Sequence, residues 1–173
     1  MDRVLRLGVQ WVELDFDWGE WQYFPNSPQD WSGWDRIMAS AQARELRVLV
    51  RLHGSPAWSN ASASPSAPPD DFAFYAAFAV ALAARYPSVL DGLEVWYHPN
   101  RPESWRTSGG PSPQAYAQLL TLTAQAVHAQ RPGVLVISGA LAEEPGESDY
   151  LAALSASGAD CVGVESLGAP GAT

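Results

Sequence analysis

Short runs rich in β-branched and apolar residues alternate strictly with longer segments of helical period, and that alternation most narrows the folds open to this chain. The runs fall at residues 9–16, 47–52, 92–96, 134–138 and 161–164. Between them, residues 34–46 place Trp34, Ile37, Met38 and Ala41 on one face, and residues 72–86 do so with Phe72, Tyr75, Ala79, Leu82 and Tyr86. Residues 115–129 repeat the pattern with Tyr116, Leu119, Leu120, Thr123 and Val127, opened by Ser112 as N-cap and Pro113 as first helical residue. A short helix is expected over 150–157, stopped by Gly158. Strict alternation of strand and helix gives parallel strands joined by right-handed crossovers. The long connections (17–33, 54–71, 99–111 and 139–149) all follow strands, and in (β/α) barrels such loops form the active face. The expected fold is α/β, a partial (β/α) TIM-type barrel of about five parallel strands with outer helices, with residues 1–173 as one domain. The Pro/Ser/Ala-rich stretch 59–69 reads as a loop within it, because the periods on either side continue one alternation.

A hydrophobic content of 47% supports a real core. The ten cationic residues are all Arg, and 19 acidic residues bring the net charge to −9. That balance argues against nucleic acid or an anionic membrane as partner and favours neutral or cationic ligands. The single Cys161 excludes an internal disulfide framework and a multi-thiolate zinc site. No apolar run reaches the roughly 18 residues of a membrane span, and the opening MDRVLRLGVQW has no basic-then-apolar signal region. The expectation is a soluble chain without a signal peptide, its compartment left open. The sequon at Asn60 reads as a chance match.

Several stretches carry a resemblance: LGVQWVELDFDW, WDRIMASAQARELRVLV, the SPAW at 55–58, FAVALAARYPSVLDGLEVW and PSPQAYAQLL. Together, and in this order, they resemble clan A glycoside hydrolases, most closely the β-xylosidase and α-iduronidase family, family 39, and its bacterial relatives. The resemblance implies that Trp96-Tyr97-His98-Pro99-Asn100 occupies the place of Trp-Asn-Glu-Pro-Asn, whose Glu is the general acid/base at the end of the fourth barrel strand. Here Tyr97 stands in the Asn position and His98 in the Glu position. The family's second Glu, the nucleophile, ends the seventh strand, and this sequence corresponds to the second through sixth units. Retaining hydrolysis needs two carboxyl groups about 5 to 5.5 Å apart. The resemblance therefore implies a glycosidase-like domain without the standard carboxylate pair, a pseudoenzyme that binds carbohydrate or serves in an assembly. Two alternatives stay open: a glycosidase completed by another chain with His98 as acid/base, and a metal-dependent enzyme. Glu13 stands where relatives show Arg, and Glu165 where they show a His followed by Pro-Tyr.

Candidate catalytic residues are thus His98, Tyr97, Glu165 and Glu13. No cofactor is expected; the alternative is a divalent metal held by His53, His98 and Glu165. Glu13, Asp15 and Asp17 alternate on one strand and so share a face; pairing with Arg51 or Arg47, or a place for Asp17 beyond the strand, would relieve their crowding. Trp58, Trp105 and Trp21 lie in or beside the loops of the active face, where an aromatic ring could stack on a sugar; His53 and Asn100 complete the substrate-binding set. Trp11, Trp34 and Trp96 read as caps of the core. A partial barrel leaves bare edges and an open inner face, so a homo-oligomer or a partner chain is expected to cover them.

Overall fold

A computed structural model describes residues 8–25, 30–143 and 146–163. The elements run β1 (Trp11–Asp17), α1 (Trp18–Trp21), α2 (Ser32–Gln42), β2 (Arg47–His53), α3 (Phe72–Arg85), β3 (Leu90–Val95), α4 (Pro113–Gln130), β4 (Leu135–Ser138) and α5 (Glu147–Leu154). The strands form one parallel sheet in the order β1-β2-β3-β4, an open segment of barrel wall as the alternation predicts. Among the described residues four strands form rather than five. The run at 161–164 contributes one bridge, Cys161 beside Ile137, and Val164 lies outside the described residues. Among the described residues no helix is long and apolar enough to cross a membrane.

Strand alternation sorts the side chains. Val48, Val50, Leu52, Leu93, Val95 and Val136 are buried against the helices, and that layer of β-branched and Leu side chains is what a parallel sheet covered by helices requires. The register sets Asp15, Arg51, Glu94 and Ile137 in one row on the opposite, inner side. The helices form where their period and caps dictate. Asp71 caps α3 by accepting from the Ala73 N–H, and Ser112 caps α4 by accepting from the Ala115 N–H, with Pro113 in the first turn. On α2 the buried stripe is Trp34, Met38 and Ala41, whereas Ile37 is exposed at the margin of the expected face. The Asp35 carboxylate on α2 accepts from Arg85 and Tyr86 at 2.7–3.0 Å, tying that helix to the end of α3. The last helix starts earlier than its period predicts, at Glu147 behind Gly146, whose φ of 94° suits glycine. Trp34 and Trp96 are in the core as expected, but Trp11 is not: it is half-buried on the inner side, beneath the Arg47 guanidinium at 4.0 Å from the ring centre. It lies in register with Arg47, so the alternation that turns Val48 toward the helices turns Trp11 the other way.

The segment 59–69 is a folded loop. Ser55 N–H donates to the Pro65 carbonyl at 3.0 Å, and Asp70 N–H to that of Ser59 at 2.9 Å. Asn60 is 6% exposed, its amide donating to the Ser64 carbonyl and accepting from Ser62 and Ser64, so the sequon has no available acceptor nitrogen.

Two buried tyrosines close the strand tips. The Tyr75 hydroxyl on α3 donates to the Leu52 carbonyl and accepts from the Trp96 N–H at 3.1 Å. The Tyr116 hydroxyl on α4 donates to the Val95 carbonyl at 2.8 Å and accepts from the Gly139 N–H at 2.6 Å. Gly139 is required there, since a Cβ would meet the Trp96 carbonyl oxygen at 2.8 Å. Replacing Tyr116 with Phe keeps the ring and deletes the clamp. It is expected to cost about 1–2 kcal/mol, a drop of a few °C in Tm. Thermal melting followed by circular dichroism reads it, and an unchanged Tm contradicts the clamp.

Candidate functional site

In the row of Asp15, Arg51 and Glu94 the inner face sets the Arg51 guanidinium among three carboxylates. Arg51 pairs with Glu13, with Asp15 at 3.1 Å and with Glu94 at 3.2 Å. Glu94 also accepts from the Ala140 N–H at 3.0 Å, and its side chain is 7% exposed while that of Asp15 is 65% exposed. Burial is the main force on Glu94 and pushes its carboxyl up to about 7; the Ala140 N–H and Arg51 pull the other way, and the adjacent Glu13 carboxylate adds to the rise. Burial alone would lower Arg51, but Glu94, Glu13 and Asp15 outweigh it and hold the guanidinium above its ordinary value. The three charges of β1 are thereby divided. Glu13 and Asp15 are paired through Arg51, and Asp17, the last strand residue, caps α1 by accepting from the Gly19 N–H at 2.8 Å.

Beyond β3 the backbone turns through left-handed conformations at Trp96 (φ 73°) and His98 (φ 43°). Non-glycine residues rarely adopt these, and strain of this kind gathers at functional tips. The turn stacks the Tyr97 and His98 rings with centroids 3.8 Å apart, and Arg51 lies 4.9 Å from the Tyr97 ring centre. Tyr97 is 37% exposed and His98 only 4%. Tyr97 thus roofs the histidine and links it to the Arg51 cluster.

Beside this tip is a cavity of about 250 Å³ whose walls include Asp17, His53, Ser66, Trp96, Tyr97 and Ser104. Gly54, at φ 75°, lets the chain pass within reach of Asp17, whose Oδ1 would lie 2.2 Å from any Cβ placed there. Of the residues expected from sequence, this mouth gathers His53 and Tyr97, with His98 beneath and Glu13 one ion pair away. Asn100 is an internal brace, its amide donating to the Ala142 carbonyl at 2.7 Å and accepting from the Ala142 N–H at 3.0 Å. Trp58 is half-buried, donates its indole N–H to the Gln22 carbonyl at 2.8 Å and meets Phe74 edge-on. Trp21 packs against Phe16 and stacks on Trp31. Neither Trp58 nor Trp21 lines the mouth cavity. Trp105 corrects the expectation of a sugar-stacking platform: it is 1% exposed, wedged among Phe72, Trp96 and Tyr116, because the turn at 101–105 folds the ring inward. Glu165 lies outside the described residues. Among the described residues no group of three or more His, Cys, Asp or Glu is placed to hold a metal. Sequence reasoning passed over Glu94; the signal was a lone carboxylate in the apolar run LEV, in step with Arg51 on the neighbouring strand.

No protein-family model matches this sequence, and no curated protein does. In structure the chain is similar to glycosidases. A GH39 enzyme from Xanthomonas axonopodis pv. citri matches with a TM-score of 0.67 and 22% identity over 88% of this chain and 33% of that one. A monomeric β-xylosidase from Caulobacter crescentus CB15 matches with 0.68 and 22% over 93% and 36%, and a β-glucosidase from Thermotoga maritima with 0.60 and 11% over 82% and 36%. The chain spans about a third of the length of these relatives. The resemblance to family 39 and to clan A glycosidases therefore holds for the fold, over part of their length.

The raised carboxyl of Glu94 sets a pH dependence. Its folded value of about 7 lies above the ordinary 4.5, so the folded state holds the proton more tightly than the unfolded chain. The stability linked to this group is fully present below about pH 4.5 and is lost as pH rises through 7. The loss is expected to be on the order of 1–2 kcal/mol, reduced from the full shift because the cluster is partly open to water. Chemical denaturation between pH 5 and 8 should show this decline in the wild type and a flatter profile in Glu94→Gln; equal slopes would refute the assignment.

Proposed function

We propose that this chain is a glycosidase-like domain that binds neutral carbohydrate at the mouth of its half-barrel and does not hydrolyse it unaided. The observation that carries the reading is the tip of β3. The position resembling the acid/base Glu holds His98, 4% exposed beneath the stacked Tyr97 ring. An imidazole so enclosed is poorly placed to protonate a leaving oxygen, which requires hydrogen-bond contact with substrate. The carboxylates of the inner face, Glu13, Asp15 and Glu94, are engaged by Arg51. In the mouth, Tyr97 offers the exposed edge and hydroxyl of its ring, and Asp17, His53 and Ser104 offer hydrogen-bonding groups of the kind that orient a sugar.

Titration with xylo- or gluco-oligosaccharides should change Trp fluorescence, with Trp96 in the cavity wall as reporter, and Tyr97→Ala should weaken binding about tenfold. No response at millimolar sugar removes the reading. Aryl β-xylosides should remain intact; turnover abolished by His98→Ala would instead establish a hydrolase with His98 as acid/base.

The same reading includes assembly. Among the described residues β1 and β4 leave strand edges without a further strand beyond the Cys161 bridge, and unpaired edges pair with other chains unless covered. A homo-oligomer or partner chain over these edges or the inner face is proposed. Light scattering should return a mass above one chain, reduced or replaced by precipitation in Val12→Lys; a monomer at every concentration rejects the assembly.

A further inference from the structure

Away from the mouth, the loops after β2 and β3 enclose a second cleft of about 630 Å³ at the starts of α3 and α4. It shares no lining residue with the mouth cavity, and its size lies within the about 300–1,000 Å³ common for small-molecule sites. The frame is fixed. The Arg106 backbone N–H donates to the Ser66 carbonyl at 2.9 Å, joining the two loops, and the Asp70 carboxylate accepts from the Ala61 N–H at 2.8 Å, closing one of them.

The wall combines three chemistries. Phe72 and Pro69 supply apolar surface, Ser62 and Ser108 supply hydroxyls, and Asp70 and Arg106 supply one charge of each sign. Trp105 is also part of the wall. Its indole N–H is buried and has no acceptor among the described residues. The contrast with other tryptophans is direct: Trp18, Trp58 and Trp96 all donate their indole N–H to a protein oxygen at 2.7–2.8 Å. A buried donor left unpaired destabilises the fold, and an oxygen supplied by a ligand would offset that cost.

We propose that this cleft binds a neutral polyhydroxylated ligand, a mono- or oligosaccharide, and that a small shift of the Trp105 ring on binding lets one ligand oxygen accept its buried indole N–H. With one charge of each sign the wall has no net charge to draw in an anion or a cation, which favours a neutral ligand. Hydroxyl groups suit the polar wall, since each can donate to the Asp70 carboxylate or accept from Arg106 and the serines. The C–H face of a sugar ring fits against Phe72. Trp105 then acts through the edge of its ring, not through the face. This site is separate from the mouth and does not depend on it.

The test follows the assigned Trp105 indole N–H signal in ¹H–¹⁵N spectra of the whole chain while xylotriose or cellotriose is added to millimolar concentration. A saturable displacement is expected, persisting in Tyr97→Ala, weakened about tenfold in Arg106→Ala, and smaller with glucuronate or glucosamine. Arg106 and Ser108 are exposed, so Ser108→Ala provides a second variant with little risk to folding, and it too should weaken binding. A signal that no neutral sugar moves overturns the proposal. So does a displacement lost in Tyr97→Ala, which places binding at the mouth alone and leaves that reading standing. Full affinity in both Arg106→Ala and Ser108→Ala, or displacement by a neutral Ala-Pro-Ala peptide but not by sugars, overturns it as well.

Discussion

The pairing of buried tyrosine hydroxyls with the strand tips is the interaction on which the remaining geometry depends. At the end of the parallel ladder the Trp96 N–H still donates to the Leu52 carbonyl at 2.8 Å and the Gly139 N–H to the Val95 carbonyl at 3.0 Å, and a tyrosine hydroxyl inserts beside each pair as a further partner to both groups. Here Tyr75 serves Leu52 and Trp96, and Tyr116 serves Val95 and Gly139, in two copies of one arrangement. Burial pushes both hydroxyls well above the ordinary phenol range, so both remain protonated donors across any working pH. Because each tyrosine belongs to a helix, the contact fixes α3 and α4 along the sheet. It also fixes the direction in which the chain leaves β3, and that exit turns Trp96 and His98 through positive φ and brings Tyr97 over His98.

The carboxylate cluster of the inner face is organised in the same way around Arg51. Three carboxylates close to one guanidinium would repel one another if all were ionised, and the arrangement resolves this by burying one of them. Glu94 takes up a proton near neutrality, while the more exposed Glu13 and Asp15 remain in contact with water. Arg51 then joins this cluster to the mouth through the Tyr97 ring. With Glu94 protonated, Glu13 and Asp15 still face one guanidinium, so the cluster keeps a net negative charge while each of its carboxylates stays in contact with Arg51.

Much of the architecture is legible in the residues themselves. The alternation of Val48, Val50 and Leu52 with Arg47, Leu49 and Arg51 defines a strand with one apolar face, and Ser112-Pro113 marks a helix start that the structure keeps. The motif resemblance to glycosidases is equally a property of the linear sequence, and it holds at the level of fold. The helix start at Gly146 was harder to read, because the turn there rests on backbone conformation and not on an apolar period.

The tertiary structure alone decides what each polar or aromatic side chain meets. Trp105 and Trp58 look alike in the sequence, both aromatic residues in loops after strands, yet one is sealed at 1% exposure and the other is half open. Local pattern cannot separate them, because the difference lies in residues far along the chain, Tyr116 and Phe72 around Trp105, Gln22 and Phe74 beside Trp58. Glu94 is the same case for charge: its carboxyl depends on Arg51, 43 positions earlier, and on the Ala140 N–H, 46 positions later. The sequence by itself determined the period, the caps and the half-barrel they build, since these depend on neighbours a few residues apart. Burial, ion pairing and the buried Trp105 indole N–H, without an acceptor among the described residues, depend on contacts between strands and loops, so only the folded chain could settle them.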